Sequence, residues 1–237
     1  MDKSGAHVND KPNKYLQLQS RLTNEETTYA IVERFSAVRE TGSYLLESDA
    51  RLELFHERIK QVAPHQGAQF PNHLARNLFI ATGIGVAMRR RGDTNLRMDL
   101  VMELPGSGQG TAEVELGSGI LDAPRFILDD IAVLASRYGI RKESILPIVI
   151  TLSLPNQRSE YWQLIKDIKK VLNVKINSVT LGMLAIFVSN RSILRFKTGE
   201  EFYIDPDCPS LRTKIEKALG RKLRITTGYS GLFESEK

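Results

Sequence analysis

Cys208 is the only cysteine in the chain. A disulfide within the chain is therefore excluded, and so is a zinc site built from several thiolates. Histidine is nearly as scarce, with 4 in 237 residues, and His56, His65 and His73 do not share the spacing of a ligand pair. No apolar run approaches the roughly 18 residues that cross a bilayer. The opening MDKSGAHVNDKPNK has no apolar core of the kind a signal peptide carries. These absences lead to the expectation of a cytoplasmic protein that does not enter a membrane, with residues 1–14 disordered.

What is present is an ordinary globular composition, 41% apolar and 26% charged. A length of 237 residues suits one large α/β domain, or a core with a helical addition. The net charge of +5 and pI of about 9.3 are a mild basic bias, compatible with a nucleic-acid partner. There is no internal repeat and no low-complexity segment.

The first third reads as helical. Thr23 and Glu26 form a capping-box pattern ahead of Ala30, Ile31, Phe35 and Val38 at helical spacing. A second helix fits Asp49 to Val62, ended by Pro64. A third is expected from Asn72 to the Arg89-Arg90-Arg91-Gly92 break, with Gly83 and Gly85 allowing close packing. From Leu96 the period changes to two. In LRMDLVMEL, Met98, Leu100, Met102 and Leu104 share one face, and Arg97, Asp99, Val101 and Glu103 the other. PGSGQG, 105–110, reads as a loop, and TAEVEL, 111–116, as the return strand.

Asp122 as N-cap, Pro124 in the first turn and Gly139 at the end frame the next helix, with Ile127, Leu128, Ile131, Leu134 and Ala135 as its buried stripe. ILPIVITLSLP, 145–155, is apolar on both faces, as a central strand is. A right-handed parallel crossover should join it to TAEVEL. A helix at 158–172, strands at 178–188, 193–196 and 202–204, and a last helix at 210–219 complete the expectation. The predicted class is α/β, a mixed sheet flanked by helices.

TAEVEL sets two carboxylates, Glu113 and Glu115, on one face. One hairpin register that keeps the apolar faces together puts Asp99 opposite Glu115 and Val101 opposite Glu113. Three acids then converge beside a covered strand. Without a cation they would repel, and desolvation would add to the cost. Mg²⁺ resolves this, since it takes a few carboxylate oxygens together with water and phosphate.

An Asp on one strand, Glu-x-acid on the next, then a helix and a buried strand resemble the core of the PD-(D/E)XK nucleases. Most of that superfamily has Lys at the last position. Glu113-Val114-Glu115 is similar instead to the Glu-x-Glu of BamHI-like type II restriction endonucleases, with Gly117 and Arg125 following. The resemblance covers about residues 97–155. It implies a restriction-endonuclease-like domain over 15–237: 15–92 mainly helical, 93–205 the catalytic core, and 206–237 a C-terminal helix and tail. It further implies Mg²⁺-dependent hydrolysis of double-stranded DNA by a homodimer, with the N-terminal helices or 122–138 as interface. Asp99, Glu113 and the Val114 carbonyl would hold the metal. Glu115 would orient or deprotonate the attacking water or hold a second ion, which favours a pair of ions. BamHI-like enzymes add a fourth carboxylate from the helix before the Asp strand. Here Glu53 or Glu57 would have to supply it. A repair or junction nuclease on the same core is the nearest alternative. A non-catalytic nucleic-acid-binding or assembly protein is another.

Several other groups have two readings. Arg89, Arg90 and Arg91 either grip phosphates or sit at a helix C-terminus, where the dipole favours cations. Arg125 either pairs with Asp129 or faces the acids. Lys166, Lys169 and Lys170 read as a solvated helix face, and Tyr161 and Trp162 as packing. The glycines of 106–110 join two strands and lack the helix that a phosphate loop needs.

Overall fold

A computed structural model describes residues 49–88, 98–104, 108–223 and 232–235. The segments 1–48 and 89–97 lie outside the described residues, and with them the capping box at Thr23 and the triple arginine. No helix among the described residues is long and apolar enough to cross a membrane.

Five strands make one mixed sheet in the order β1-β2-β3-β4-β5: β1 Gly85–Met88, β2 Leu100–Leu104, β3 Gly108–Glu115, β4 Ile145–Thr151 and β5 Asn177–Thr180. The first three pair antiparallel and the last three parallel. Among the described residues, six α-helices flank it: α1 Asp49–Val62, α2 Phe70–Ala81, α3 Ala123–Tyr138, α4 Glu160–Leu172, α5 Leu181–Ser189 and α6 Arg212–Leu219. All seven residues of β4 are buried, which matches its position inside the sheet and its unbroken apolar sequence. α3 returns the chain from β3 to the parallel β4. Asp122 occupies its N-cap position without a side-chain capping bond, Pro124 lies in its first turn, and it ends at Gly139 with φ 65°, a left-handed conformation that glycine adopts without strain.

Three expectations about elements are corrected. The helix expected to reach Arg91 stops at Ala81. Gly83, at φ 87°, turns the chain, and Gly85 opens β1 instead of packing inside a helix. The strand expected over 178–188 is β5 followed at once by α5. The Thr180 hydroxyl accepts the Met183 N–H at 3.2 Å and caps the helix. All of Leu181–Phe187 is buried, so no polar face marked the helical period. The strands expected at 193–196 and 202–204 are absent. That region holds only an isolated bridge, Asn177 with Tyr203.

The hairpin register is also corrected. The ladder runs from Leu100↔Ala112 to Leu104↔Gly108, which sets position 99 opposite Glu113 and pairs Val101 with Thr111. The shift is two residues, so every side chain keeps its expected face. Its cause lies in the glycines. Gly108 and Gly110, expected in the loop, belong to β3. Gly108 is at φ 102°, and a Cβ there would stand 2.7 Å from the Ser144 carbonyl oxygen, so glycine suits the start of the strand.

Candidate functional site

Asp99 is half-buried and stands one residue ahead of β2. Its Oδ2 accepts the Val114 N–H at 3.1 Å. The backbone of β2 has not yet joined the ladder at this point, so the Asp99 side chain takes the place of a main-chain partner. Its Oδ1 accepts from Asn72 Nδ2 at 2.7 Å. Asn72 comes from the first turns of α2 and is 5% exposed. Strand pairing and a helix thus fix the carboxylate from two directions.

Glu113 is half-buried on β3, across from position 99. Glu115, two residues on and on the same face, pairs with Thr151 of β4. Its carboxylate folds back locally. Oε1 accepts the Gly117 N–H at 2.7 Å. A Cβ on Gly119 would lie 2.6 Å from Oε2, so the missing side chain makes room for the carboxylate. The structure therefore brings Asp99 and Glu113 to facing positions and turns Glu115 toward the segment after β3. Among the described residues, no three Asp, Glu, His or Cys side chains are grouped so as to hold a metal ion.

Beneath these acids lies a polar layer. Thr111, completely buried on the Glu113 face of β3, hydrogen-bonds through Oγ1 to Asp130 Oδ2 at 3.0 Å and reaches the Leu100 carbonyl at 3.4 Å. Asp130 is on α3 and 3% exposed. Burial pushes its carboxyl up to about 7; the Thr111 hydrogen bond opposes this, and the charges of Asp99 and Asp129 add to it. The charge of Asp99 thus acts on Asp130 of α3, which packs on the sheet face that carries Thr111 and Glu113. On α2, one turn beyond Asn72, Arg76 is fully buried and donates from Nη1 to Asn77 Oδ1 at 2.8 Å. His73 between them has its pKa lowered, first by burial and then by the Arg76 charge, so its imidazole is neutral at pH 7.

Asn72, Arg76, Thr111 and Asp130 were not singled out in the sequence. A signal existed for Asp130. It follows Ile127 by three residues and precedes Leu134 by four, the spacing of the buried stripe, so an acid there is a buried acid. Asn72 and Arg76 are likewise four apart on the helix face that meets Asp99.

The remaining candidates sit elsewhere. Glu57 is exposed and bonds Lys60 at 3.1 Å. The side chain of Glu53 lies outside the described residues. Arg125 pairs with Asp122 and, at 2.7 Å, with Glu160, and not with Asp129. Lys166 bonds Asp207 at 2.7 Å, and Lys169 lies 4.9 Å from the centre of the Tyr203 ring. Tyr161 and Trp162 are buried edge to face, and Trp162 Nε1 donates to the Pro155 carbonyl at 3.1 Å, so they serve packing. Comparison of the chain with protein-family models, with curated proteins and with solved structures finds no match.

Proposed function

We propose that this chain is a Mg²⁺-dependent endonuclease of PD-(D/E)XK character, cutting double-stranded DNA as a homodimer in the manner of type II restriction enzymes. One observation carries the reading: the Asp99 carboxylate is bonded to the Val114 N–H, which joins the lone Asp to the strand that bears Glu113 and Glu115. N–H and C=O of one strand residue point to the same neighbouring strand, so the Val114 carbonyl faces the Asp99 side as well.

These residues fit a hard cation. The Asp99 carboxylate accepts from Asn72 and Val114, and an ionised carboxylate has about four lone-pair sites. Asp99, Glu113 and the Val114 carbonyl would hold Mg²⁺, an ion that needs few protein oxygens and keeps several waters. Bound there, it would supply charge for the scissile phosphate and acidify a water. The protein's own groups do the rest. Asn72 fixes the Asp99 rotamer. Thr111 and Asp130 hold β3 against α3 under the acids. Glu115, the position where most of the superfamily has Lys, orients the attacking water, and the Gly117 amide steadies its carboxylate. For the dimer, Leu121 and Phe126 at the start of α3 expose 38% and 48% of their surface, which supports this helix as the interface.

A second reading has its own observation. Both oxygens of Asp99 and one of Glu115 are already bonded to protein donors. That suits a non-catalytic nucleic-acid-binding or assembly protein, in which the acids are structural. A single assay separates the two. Supercoiled plasmid is incubated with wild type and with Glu113→Gln, in Mg²⁺ and in EDTA. The nuclease reading expects Mg²⁺-dependent nicking or linearisation, reduced at least roughly a hundredfold in the variant, with unchanged circular dichroism. Duplex binding without cleavage in Mg²⁺ would overturn it in favour of the second. Preference for branched substrates over plain duplex would instead mark a junction nuclease.

A further inference from the structure

A second charged feature lies away from the carboxylates. A hollow of about 810 Å³ opens between the segment 193–201 and α6. Arg195 and Lys197 line it from the segment, and Lys214 and Lys217 line it from the helix. Among the described residues, none of these four cations has an ion pair.

Two glutamates also line the hollow, Glu200 in an ion pair and Glu201 bonded through Oε1 alone, with its buried Oε2 left without a hydrogen-bond partner. Glu200 Oε1 takes Lys175 Nζ at 2.6 Å. Glu201 Oε1 accepts the backbone N–H groups of Lys197 and Thr198, each at 2.7 Å, and the Thr198 hydroxyl at 3.1 Å. These three bonds fold 197–201 around Glu201 and fix the backbone that carries Lys197. Burial lowers the Lys214 pKa, and so does the charge of Lys217; Glu200, Glu201 and Asp205 oppose them without prevailing. Positive charge in this hollow is thus under-compensated by the protein around it.

The hollow is at the far end of the sheet from Asp99. Asn177, at the start of β5, donates from Nδ2 to the Gly199 carbonyl at 2.9 Å. The Leu194 N–H donates to the Thr82 carbonyl at 3.0 Å, just ahead of β1. Asn177 is level with Ala112 through Ile148, but β1 begins opposite Glu103, and Gly199 lies against Leu146, which pairs with Gly110, so these two contacts place the segment toward the end away from Glu113 and Glu115.

We propose that this hollow binds a small phosphorylated anion, of polyphosphate or nucleotide size, through Arg195, Lys197, Lys214 and Lys217. A phosphate brought between the two walls relieves the repulsion of Lys214 and Lys217 and gives Arg195 a planar, two-point acceptor. The volume falls within the roughly 300–1,000 Å³ of small-molecule sites. Ile193, 61% exposed on the same rim, gives the organic part of a nucleotide an apolar contact. The position at the opposite sheet end separates this anion from a duplex seated on the carboxylates.

Isothermal titration of the full chain with inorganic pyrophosphate tests this. The expected result is saturable one-to-one binding, weakened at least roughly tenfold both by Lys214→Gln/Lys217→Gln and by Arg195→Gln, the scale of losing one charge-assisted contact. Glu113→Gln should bind pyrophosphate as wild type does, so the result stands apart from the nuclease reading. Absence of saturable binding would overturn the proposal, as would wild-type affinity in both variants. Displacement of pyrophosphate by short duplex DNA would also overturn it, making the cluster a backbone contact. Should the double variant fail to fold, Arg195→Gln on the exposed segment decides alone.

Discussion

At the Asp99 end of the sheet, charge is held by neighbours. Asp99 leans on Val114 and Asn72, Glu115 on Gly117, and Asp130 on Thr111. At the other end, Arg195, Lys197, Lys214 and Lys217 face a hollow with no ion pairs of their own among the described residues. The acids are woven into strand pairing and helix docking, so they contribute to stability as well as to the proposed chemistry. The cations have no ion pair among the described residues, which leaves their charge for the outside anion proposed above. This contrast makes distinct demands on substitution and on pH.

The largest effect is expected at Asp130. Its carboxyl titrates near 3.8 when unfolded and near 7 when folded, so between those values the folded state binds the extra proton. The protein is then most stable below about pH 4 as far as this group is concerned. It loses that contribution as pH rises toward 7 and levels off above. A difference of about 3 pKa values amounts to roughly 4 kcal/mol for a group this buried. Urea unfolding from pH 5 to 8 should show the fall, and Asp130→Asn should flatten it. A wild-type profile flat over that range would break the claim that the acidic end is strained by burial.

Asp99→Ala comes next. Cleavage should drop at least roughly a hundredfold. Stability should fall by about 1–3 kcal/mol, because the Val114 N–H and the Asn72 amide lose their acceptor. Lys214→Gln at the other end should change stability by less than about 0.5 kcal/mol. Equal melting shifts for the two would erase the contrast between woven and loose charge.

Glu115→Lys sharpens the contrast within the acidic end. Its visible bond is to an exposed amide, so folding should change by less than about 1 kcal/mol. An ammonium there cannot take a second ion or accept a proton from water. Turnover in Mg²⁺ should therefore fall about a hundredfold, while duplex binding measured in Ca²⁺ is retained. Full turnover by this variant would remove Glu115 from the reaction and leave Asp99 and Glu113.

Some elements could be read in advance and others could not, for physical reasons. Pro124 and Gly139 act on the backbone within one turn, so the ends of α3 were legible, although the Asp122 side chain pairs with Arg125 and makes no capping bond. β4 was legible because burial on both faces requires an unbroken apolar run. The same logic failed at 178–188, where the apolar run covers a strand end and a wholly buried helix. Two different structures there present one pattern. The turn into α5 depends on the Thr180 cap, a single hydroxyl that periodicity does not register. Gly83 and Gly85 were visible, but whether a glycine pair loosens a helix or ends it depends on what the chain meets next.

For the site itself, alternation placed Asp99, Glu113 and Glu115 on one sheet face, because a side chain's face follows from the pleat alone. Which acids stand opposite each other is a matter of register. The observed register starts with Gly108 paired to Leu104, so the strand takes in glycines that read as loop along the chain. Asn72 reaches Asp99 from 27 residues away and Asp130 reaches Thr111 across 19, so no local pattern could pair them. Periodicity and caps act over a few residues and can be read along a chain; the partners of a buried carboxylate come from packing, which brings distant segments together.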